Sequence, residues 1–310
     1  MSRQLFPVQN STLSAEALAL RVLKRYHLSG KVVCRFFRKG ICDTYRVDAG
    51  DTEYYLKVYR VVRRTRTDVS EEVRLLNHFA ENGVSVARPV MRQDGRYVNQ
   101  LAAPEGTRYA VLFEAAYGVA GDGGDHDRIK ALGKTVGRMH RCADKMHAPY
   151  RRSHLDMCHL VDDNMRVIAP FMAHREADLG LVHKIAETCK DRISQWLPKS
   201  KPEYGICHGD LHGGDVCYGK NNKPMLFDFD SSGCGWRALD IGVFLASDDW
   251  MGITRKAENK RQRQLSVFLD GYSSIRSLTA HELSAVQLTP PDSSYFPDGA
   301  CASLYGCVRG

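Results

Sequence analysis

With 310 residues and 43% hydrophobic content, the chain can bury one large core or two smaller ones, which excludes a disordered protein. Its ten cysteines are scattered without a CxxC pair, so a disulfide-dense secreted scaffold is excluded and reduced thiols in a cytoplasmic protein are expected. The net charge of +8 is uneven: residues 1–110 carry 19 Lys and Arg against 11 Asp and Glu, and residues 111–310 carry 25 of each.

A basic face attracts a nucleotide, a nucleic acid or an anionic membrane. The densest cluster, Arg60, Arg63, Arg64 and Arg66, has only Tyr59 beside it, so single-strand stacking lacks its aromatic platform and no nucleic acid partner is expected. No basic leader precedes an apolar run, and no stretch of eighteen apolar residues follows; no signal peptide, transmembrane helix or membrane partner is expected.

In chain order, helical spacing over Leu13–Tyr26 follows Ser11 and Ser14 as capping candidates. Short β-type runs come next at Lys31–Phe37, Thr44–Asp48 and Glu53–Tyr59, separated by turns at Lys39-Gly40 and Ala49-Gly50-Asp51. A helix over Asp68–Ala80 and a strand over Tyr109–Phe113 complete the first part. A linker of Gly and small residues, Ala116 to Gly124, sets the boundary near Phe113. Helices dominate afterwards, at Asp127–Ala143, Asp178–Leu197 and Glu258–Tyr272, with another start at Thr279 and with Pro170 and Pro198 as stops. Residues 290–310 lack periodicity and are expected to form an irregular tail. The expected class is α+β, with an antiparallel sheet plus helix in domain 1–113 and a mainly helical domain 114–289.

The most specific stretch is Cys207-His208-Gly209-Asp210-Leu211-His212-Gly213-Gly214-Asp215-Val216, followed by Met225-Leu226-Phe227-Asp228-Phe229-Asp230. Two His, three Gly and two Asp within nine residues are more than a surface turn needs. Phosphoryl transfer is mostly positioning and electrostatics: metal ions bridge the phosphates, a lysine holds them, and a carboxylate orients the attacking hydroxyl. Asp210 is the candidate base that accepts the hydroxyl proton. Asp215 and Asp228 offer the oxygen ligands that Mg²⁺ prefers, with Met225–Phe227 as the apolar strand that delivers Asp228.

Lys57 sits in Tyr55-Leu56-Lys57-Val58-Tyr59, on the face opposite Leu56 and Val58. Such a lysine usually snorkels to solvent. The next helix changes that expectation, because Glu71 and Glu72 open an amphipathic stretch with Leu75, Leu76 and Phe79; Glu72 is the expected ion-pair partner. The turn Arg38–Thr44 around Gly40 either covers phosphates with its N–H groups or is an ordinary hairpin. His208 and His212 have the i, i+4 spacing of a zinc site, yet Gly209, Gly213 and Gly214 oppose a helix, and Cys207 alone offers a third ligand. His208 is expected to hold the loop.

These residues resemble the aminoglycoside phosphotransferase and choline kinase family, which shares the two-lobed protein-kinase-like fold. Residues 208–215 look like its HGDxHxxN catalytic loop, and Leu226–Asp230 like its metal-binding segment. Ile129–His140 is similar to its helix ending in a Leu-His-like pair, and Ala238–Gly242 to the stretch after the metal segment; the resemblance covers roughly residues 30–275. It implies Lys57 for the nucleotide phosphates, Glu72 as its partner, Asp210 as base, Asp215 and Asp228 for metal, and a structural Asp240; Gly40 stays a nucleotide-site candidate on the turn reading alone. ATP and Mg²⁺ are the implied cofactors and a small-molecule hydroxyl the implied acceptor, with bacterial stress-response and homoserine-kinase-like members the nearest. The alternatives are a stress-type protein Ser/Thr kinase and a nucleotide-binding pseudokinase; no oligomeric state is implied.

One departure has energetic consequences. The family has Asn where this chain has Asp215, and a second carboxylate about 4 Å from Asp210 would repel it by roughly 4 kcal/mol at an effective dielectric near 20. Reduced turnover is expected, and Asp215→Asn should raise it in a steady-state kinase assay. Equal or lower activity in that variant contradicts the expectation.

Overall fold

The computed structural model describes residues 6–61, 63–121, 125–247 and 254–286. The expected tail at 290–310 lies outside them. The chain divides into two compact units, with the boundary between Ala116 and Tyr117.

The first unit is built on a five-stranded antiparallel sheet. Helix α1 (Ala15–Arg21) is followed by β1 (Val32–Lys39), β2 (Asp43–Ala49), β3 (Thr52–Val58), α2 (Arg66–Glu81), β4 (Asn99–Ala103) and β5 (Gly106–Glu114). The sheet order is β1-β2-β3-β5-β4, so β3 is central and β4 is an edge. Alternation along β3 sends Leu56 and Val58 into a core with Leu18, Val22, Leu23 and Tyr26 from the α1 side. Lys57 is left on the other face, where α2 supplies Glu72. Helix α2 starts at a capping box: Thr65 Oγ1 accepts from Asp68 N–H, and Asp68 Oδ2 accepts from Thr65 N–H. It then buries Val69, Val73, Leu76 and Phe79 in one apolar stripe.

An arginine ties this unit together where the sequence shows no sign of it. Arg108 and Asp43 are fully buried and paired at 2.7 Å. The same guanidinium donates to the carbonyls of Tyr59, Val58 and Ser11. One planar donor thereby connects β5, β3, β2 and the segment before α1.

The second unit contains β6 (Val119–Ala120), α3 (His126–Ala143), β7 (His154–Leu155), α4 (Asp163–Ile168), α5 (Glu176–Trp196), β8 (Tyr204–Cys207), β9 (Val216–Tyr218), β10 (Pro224–Leu226), β11 (Gly233–Trp236), α6 (Ala238–Ser247), α7 (Arg255–Ser273) and α8 (Ala280–Val286). Helices α3 and α7 pack closely enough that a Cβ at Gly133 would fall on the Phe268 carbonyl oxygen. Two small sheets, β10-β9-β6 and β7-β11-β8, bring the motif segments together. Pro198 follows the end of α5 as expected. Pro170 differs: it sits at the start of a 3₁₀ turn, Ala169–Met172, that directly continues α4. An early helical position tolerates proline because its N–H has no intrahelical partner. Helix α5 is 21 residues long yet buries only Ala186 completely. No helix among the described residues is long and apolar enough to cross a membrane.

Arg108→Met would strand the Asp43 carboxylate in the interior. A loss of about 3–5 kcal/mol is expected, the usual cost of breaking a buried pair from one side. Equilibrium urea unfolding checks it; a loss under about 1 kcal/mol would contradict the role given to Arg108.

Candidate active site

In the first unit, β3 pairs with Thr44 on one side of Lys57 and Val111 on the other. This double pairing fixes the backbone from which the side chain projects. Lys57 Nζ lies 3.7 Å from Glu72 Oε1 and 5.2 Å from the Tyr59 ring centroid. Both charged residues are buried, Lys57 at 8% and Glu72 at 1% exposure. A lysine held this way is not snorkelling, since its ammonium is kept among protein groups instead of reaching bulk water. Gly40 lies in the exposed β1–β2 turn, where its N–H donates to the Cys42 carbonyl at 3.0 Å. That donor closes the hairpin and is already committed.

In the second unit, the chain leaves β8 at Cys207 and turns through His208-Gly209-Asp210. Gly209 has φ +83°, and a Cβ there would meet the Ser231 carbonyl oxygen at 2.3 Å. Only glycine fits both constraints. Asp240, at the start of α6, has no exposed surface; its Oδ2 accepts the His208 N–H and its Oδ1 the Gly209 N–H, each at 2.8 Å. His140 Nε2–H donates to the same carboxylate at 3.0 Å, and its Nδ1 accepts from the Tyr272 hydroxyl at 2.8 Å. Tyr272 in turn accepts from Arg276, which pairs with Glu282. A relay of buried groups from α8, α7 and α3 thus ends on the loop backbone.

Burial alone would raise the Asp240 pKa, but the His140 hydrogen bond and the Gly209 N–H outweigh it and hold the carboxyl below its ordinary value. Burial pushes His140 the other way, down to about 4, only partly offset by Asp240. The imidazole is therefore neutral, consistent with one ring nitrogen donating and the other accepting.

His208 joins the two motif segments. Its Nε2–H donates to the Phe227 carbonyl at 3.0 Å, while its Nδ1 accepts from Asp210 N–H at 3.4 Å. The Phe227 N–H closes the link by donating to the Asp215 carbonyl at 3.0 Å. These bonds occupy His208, so the zinc spacing in the sequence does not correspond to a metal ligand here. His212 Nδ1 accepts from Gly214 N–H at 2.9 Å, which leaves the proton on Nε2. That Nε2 lies 3.2 Å from Asp215 Oδ2 and 3.8 Å from Asp210 Oδ2. Ligand atoms of Asp210, His212 and Asp215 all lie within 4.8 Å of one another. Asp215 is nearly buried and Asp210 partly open, their side chains 6% and 31% exposed.

Asp228 follows β10 in the left-handed region at φ 63°, which Asp tolerates better than most residues because its short side chain bonds locally. Arg152 donates to the carbonyls of Phe229 and Asp230, supporting the turn that follows. Arg152 carried no signal in the sequence and His140 only that of the helix it ends in the family resemblance, because each acts on residues about eighty or more positions away.

The phosphotransferase enzyme family model matches residues 33–278. The chain belongs to this family. It is 35% identical to an uncharacterised protein of Synechocystis sp., over 91% of this chain and 76% of that one. It is 27% identical to amicoumacin kinase of Bacillus subtilis, covering 77% and 69% of the two chains. Identity to homoserine kinase of Neisseria meningitidis is 26%, covering 93% and 84%. Among solved structures, amicoumacin kinase in complex with AMP-PNP, Ca²⁺ and Ami superposes with a TM-score of 0.72 at 24% identity, over 88% of this chain and 81% of that one. The family member is thus a kinase with the α+β, two-lobed, protein-kinase-like fold expected from its motifs.

His140 makes stability depend on pH. Between its ordinary 6.5 and the folded value of about 4, the unfolded chain takes up a proton that the folded chain refuses. Stability should therefore fall as pH drops from 6.5 towards 4, by about 3 kcal/mol from this group. Urea unfolding at several pH values should show a shallower slope for His140→Gln across that window; an unchanged slope would contradict the assignment.

Proposed function

We propose that this protein transfers the γ-phosphoryl group of ATP, with Mg²⁺, to a hydroxyl of a small molecule, and that Asp210 is the catalytic base. The observation that carries this reading is the grouping of Asp210 and Asp215 around one imidazole on a loop whose backbone is pinned by Asp240. Support for the nucleotide and the divalent ion comes from the related solved structure, which holds AMP-PNP and Ca²⁺. Support for a small acceptor comes from relatives named for amicoumacin and homoserine.

The carboxylate oxygens of Asp210 and Asp215 lie within 4.8 Å of each other and of the His212 ring, a group that does not include Asp228, and Asp215 offers the hard oxygen that a divalent cation takes. Asp215 and Asp228 would hold Mg²⁺, which keeps substrate phosphates and water in its remaining shell. When bound, Mg²⁺ supplies positive charge to the phosphates.

Lys57 contributes a cation for the nucleotide phosphates, with Glu72 fixing its direction. Gly40 presents no side chain in the β1–β2 turn and lets phosphate approach that backbone closely. Asp210, partly open, accepts a hydrogen bond from the acceptor hydroxyl and takes its proton as the oxygen–phosphorus bond forms. The bond from the γ-phosphorus to the bridging oxygen breaks, and ADP leaves. His212 Nε2–H faces both carboxylates and moderates the charge that Asp215 adds beside Asp210.

Thermal unfolding with and without ATP and Mg²⁺, read beside a turnover assay, tests this. A ligand that binds only the folded state stabilises it by about 2.7 kcal/mol at a hundredfold excess over Kd, so wild-type protein should show a clear upward shift. Lys57→Ala should lose most of that shift. Asp210→Asn should keep it while turnover falls by about 10²–10⁴-fold. No shift in wild-type protein at saturating nucleotide would overturn the reading.

A further inference from the structure

The first unit carries a second concentration of positive charge, four arginines assembled from three separate pieces of chain. Arg25 comes from the turn after α1, Arg66 opens α2, and Arg92 and Arg96 belong to the segment before β4. With Gln100 of β4 and Tyr109 of β5 they line a pocket of about 250 Å³ at the β4 edge of the sheet. Sequence inspection found only Arg66 as part of a local cluster; the convergence is made by the fold.

Four guanidinium groups around one small cavity repel each other unless carboxylates or a bound anion intervene. Carboxylates do so only in part. Arg92 pairs with Asp94 at 2.6 Å and donates to the Val98 carbonyl at 2.9 Å, and Arg25 donates to the Asn99 side chain at 3.3 Å. Among the described residues, the side chains of Arg66 and Arg96 have no carboxylate within ion-pair distance. Arg92 Nε is buried without a hydrogen-bond partner, a cost that an acceptor oxygen of a bound anion would relieve. The site is therefore partly preorganised, with Arg92 clamped by its neighbours and two further guanidinium groups unneutralised.

Size and chemistry select the ligand. Pockets for drug-sized molecules run to roughly 300–1,000 Å³ and are mainly apolar, whereas this one is smaller and lined chiefly by cations. Planar guanidinium forks match the oxygen geometry of phosphate, often in pairs of parallel bonds. We propose that this pocket is a binding site for a small phosphate-bearing anion, a phosphate monoester or diphosphate, separate from Lys57 and independent of the phosphotransferase reading.

The test is calorimetric titration of the full chain with sodium pyrophosphate, without divalent metal and at low ionic strength. Wild type, Lys57→Ala and the double variant Arg66→Ala/Arg96→Ala are compared. Arg66 and Arg96 are exposed, so their truncation leaves the fold intact, and unchanged unfolding midpoints without ligand verify that.

Saturable binding of one pyrophosphate is expected in wild type and in Lys57→Ala, weakened at least about tenfold for each arginine removed. Raising the salt should weaken it further. Binding that is absent from wild type, unchanged in the double arginine variant, or lost in Lys57→Ala overturns the proposal. So does a short single-stranded oligonucleotide that displaces pyrophosphate and binds more tightly, because the surface would then serve a polymer.

Discussion

Both oxygens of the buried Asp240 carboxylate are engaged, one by the Gly209 N–H and the other by His208 N–H and the His140 imidazole. Two successive backbone donors leaving the end of β8 would otherwise be buried without partners, and the chain would need another route out of the strand. The direction of Asp210 follows from this capture, because it is the next residue. His208, whose backbone is held by Asp240, uses its ring to reach Phe227, and Phe227 closes on Asp215. Three levels of positioning descend from one carboxylate: loop, second segment, and the relation between them.

The first unit uses a related device for a different purpose. Arg108 and Asp43 form a buried ion pair whose spare donors are taken up by backbone carbonyls of β3 and of the segment before α1. Buried pairs contribute little net stability compared with apolar packing of the same volume, but a half-broken pair is costly. Arg108 therefore acts through geometry, by penalising arrangements in which the strands meet in another register. Lys57, between two strands that this guanidinium links, takes its precision from the same source.

Legibility in the sequence tracked the distance over which residues cooperate. Strand alternation put Lys57 opposite Leu56 and Val58, and the helical spacing of Leu75, Leu76 and Phe79 selected the glutamate beside it; both patterns are local. The glycines of the 208–215 loop were also legible as a stretch unable to form helix, and Gly209 has a conformation and a close contact that explain it. Strand β4 was not foreseen, because Asn99-Gln100-Leu101-Ala102-Ala103 has weak strand propensity and forms through pairing with β5. Helix α4 was missed for a similar reason, since it buries no residue completely and so shows no strong apolar stripe. The contributions of His140, Arg152 and Arg108 depend on partners brought near by folding, and no local pattern encodes those.

The sparse burial of α5 has an evolutionary implication. Substitutions in a tightly packed helix such as α3 must respect neighbouring backbone at sub-ångström tolerance. Most of the 21 positions in α5 escape that filter, because only Ala186 is fully enclosed. Surface changes generally cost within about 0.5 kcal/mol, so this helix can diversify while the packed frame around the 208–215 loop stays constant. The architecture thereby separates a region free to explore new chemistry from one in which most changes are eliminated as folding defects.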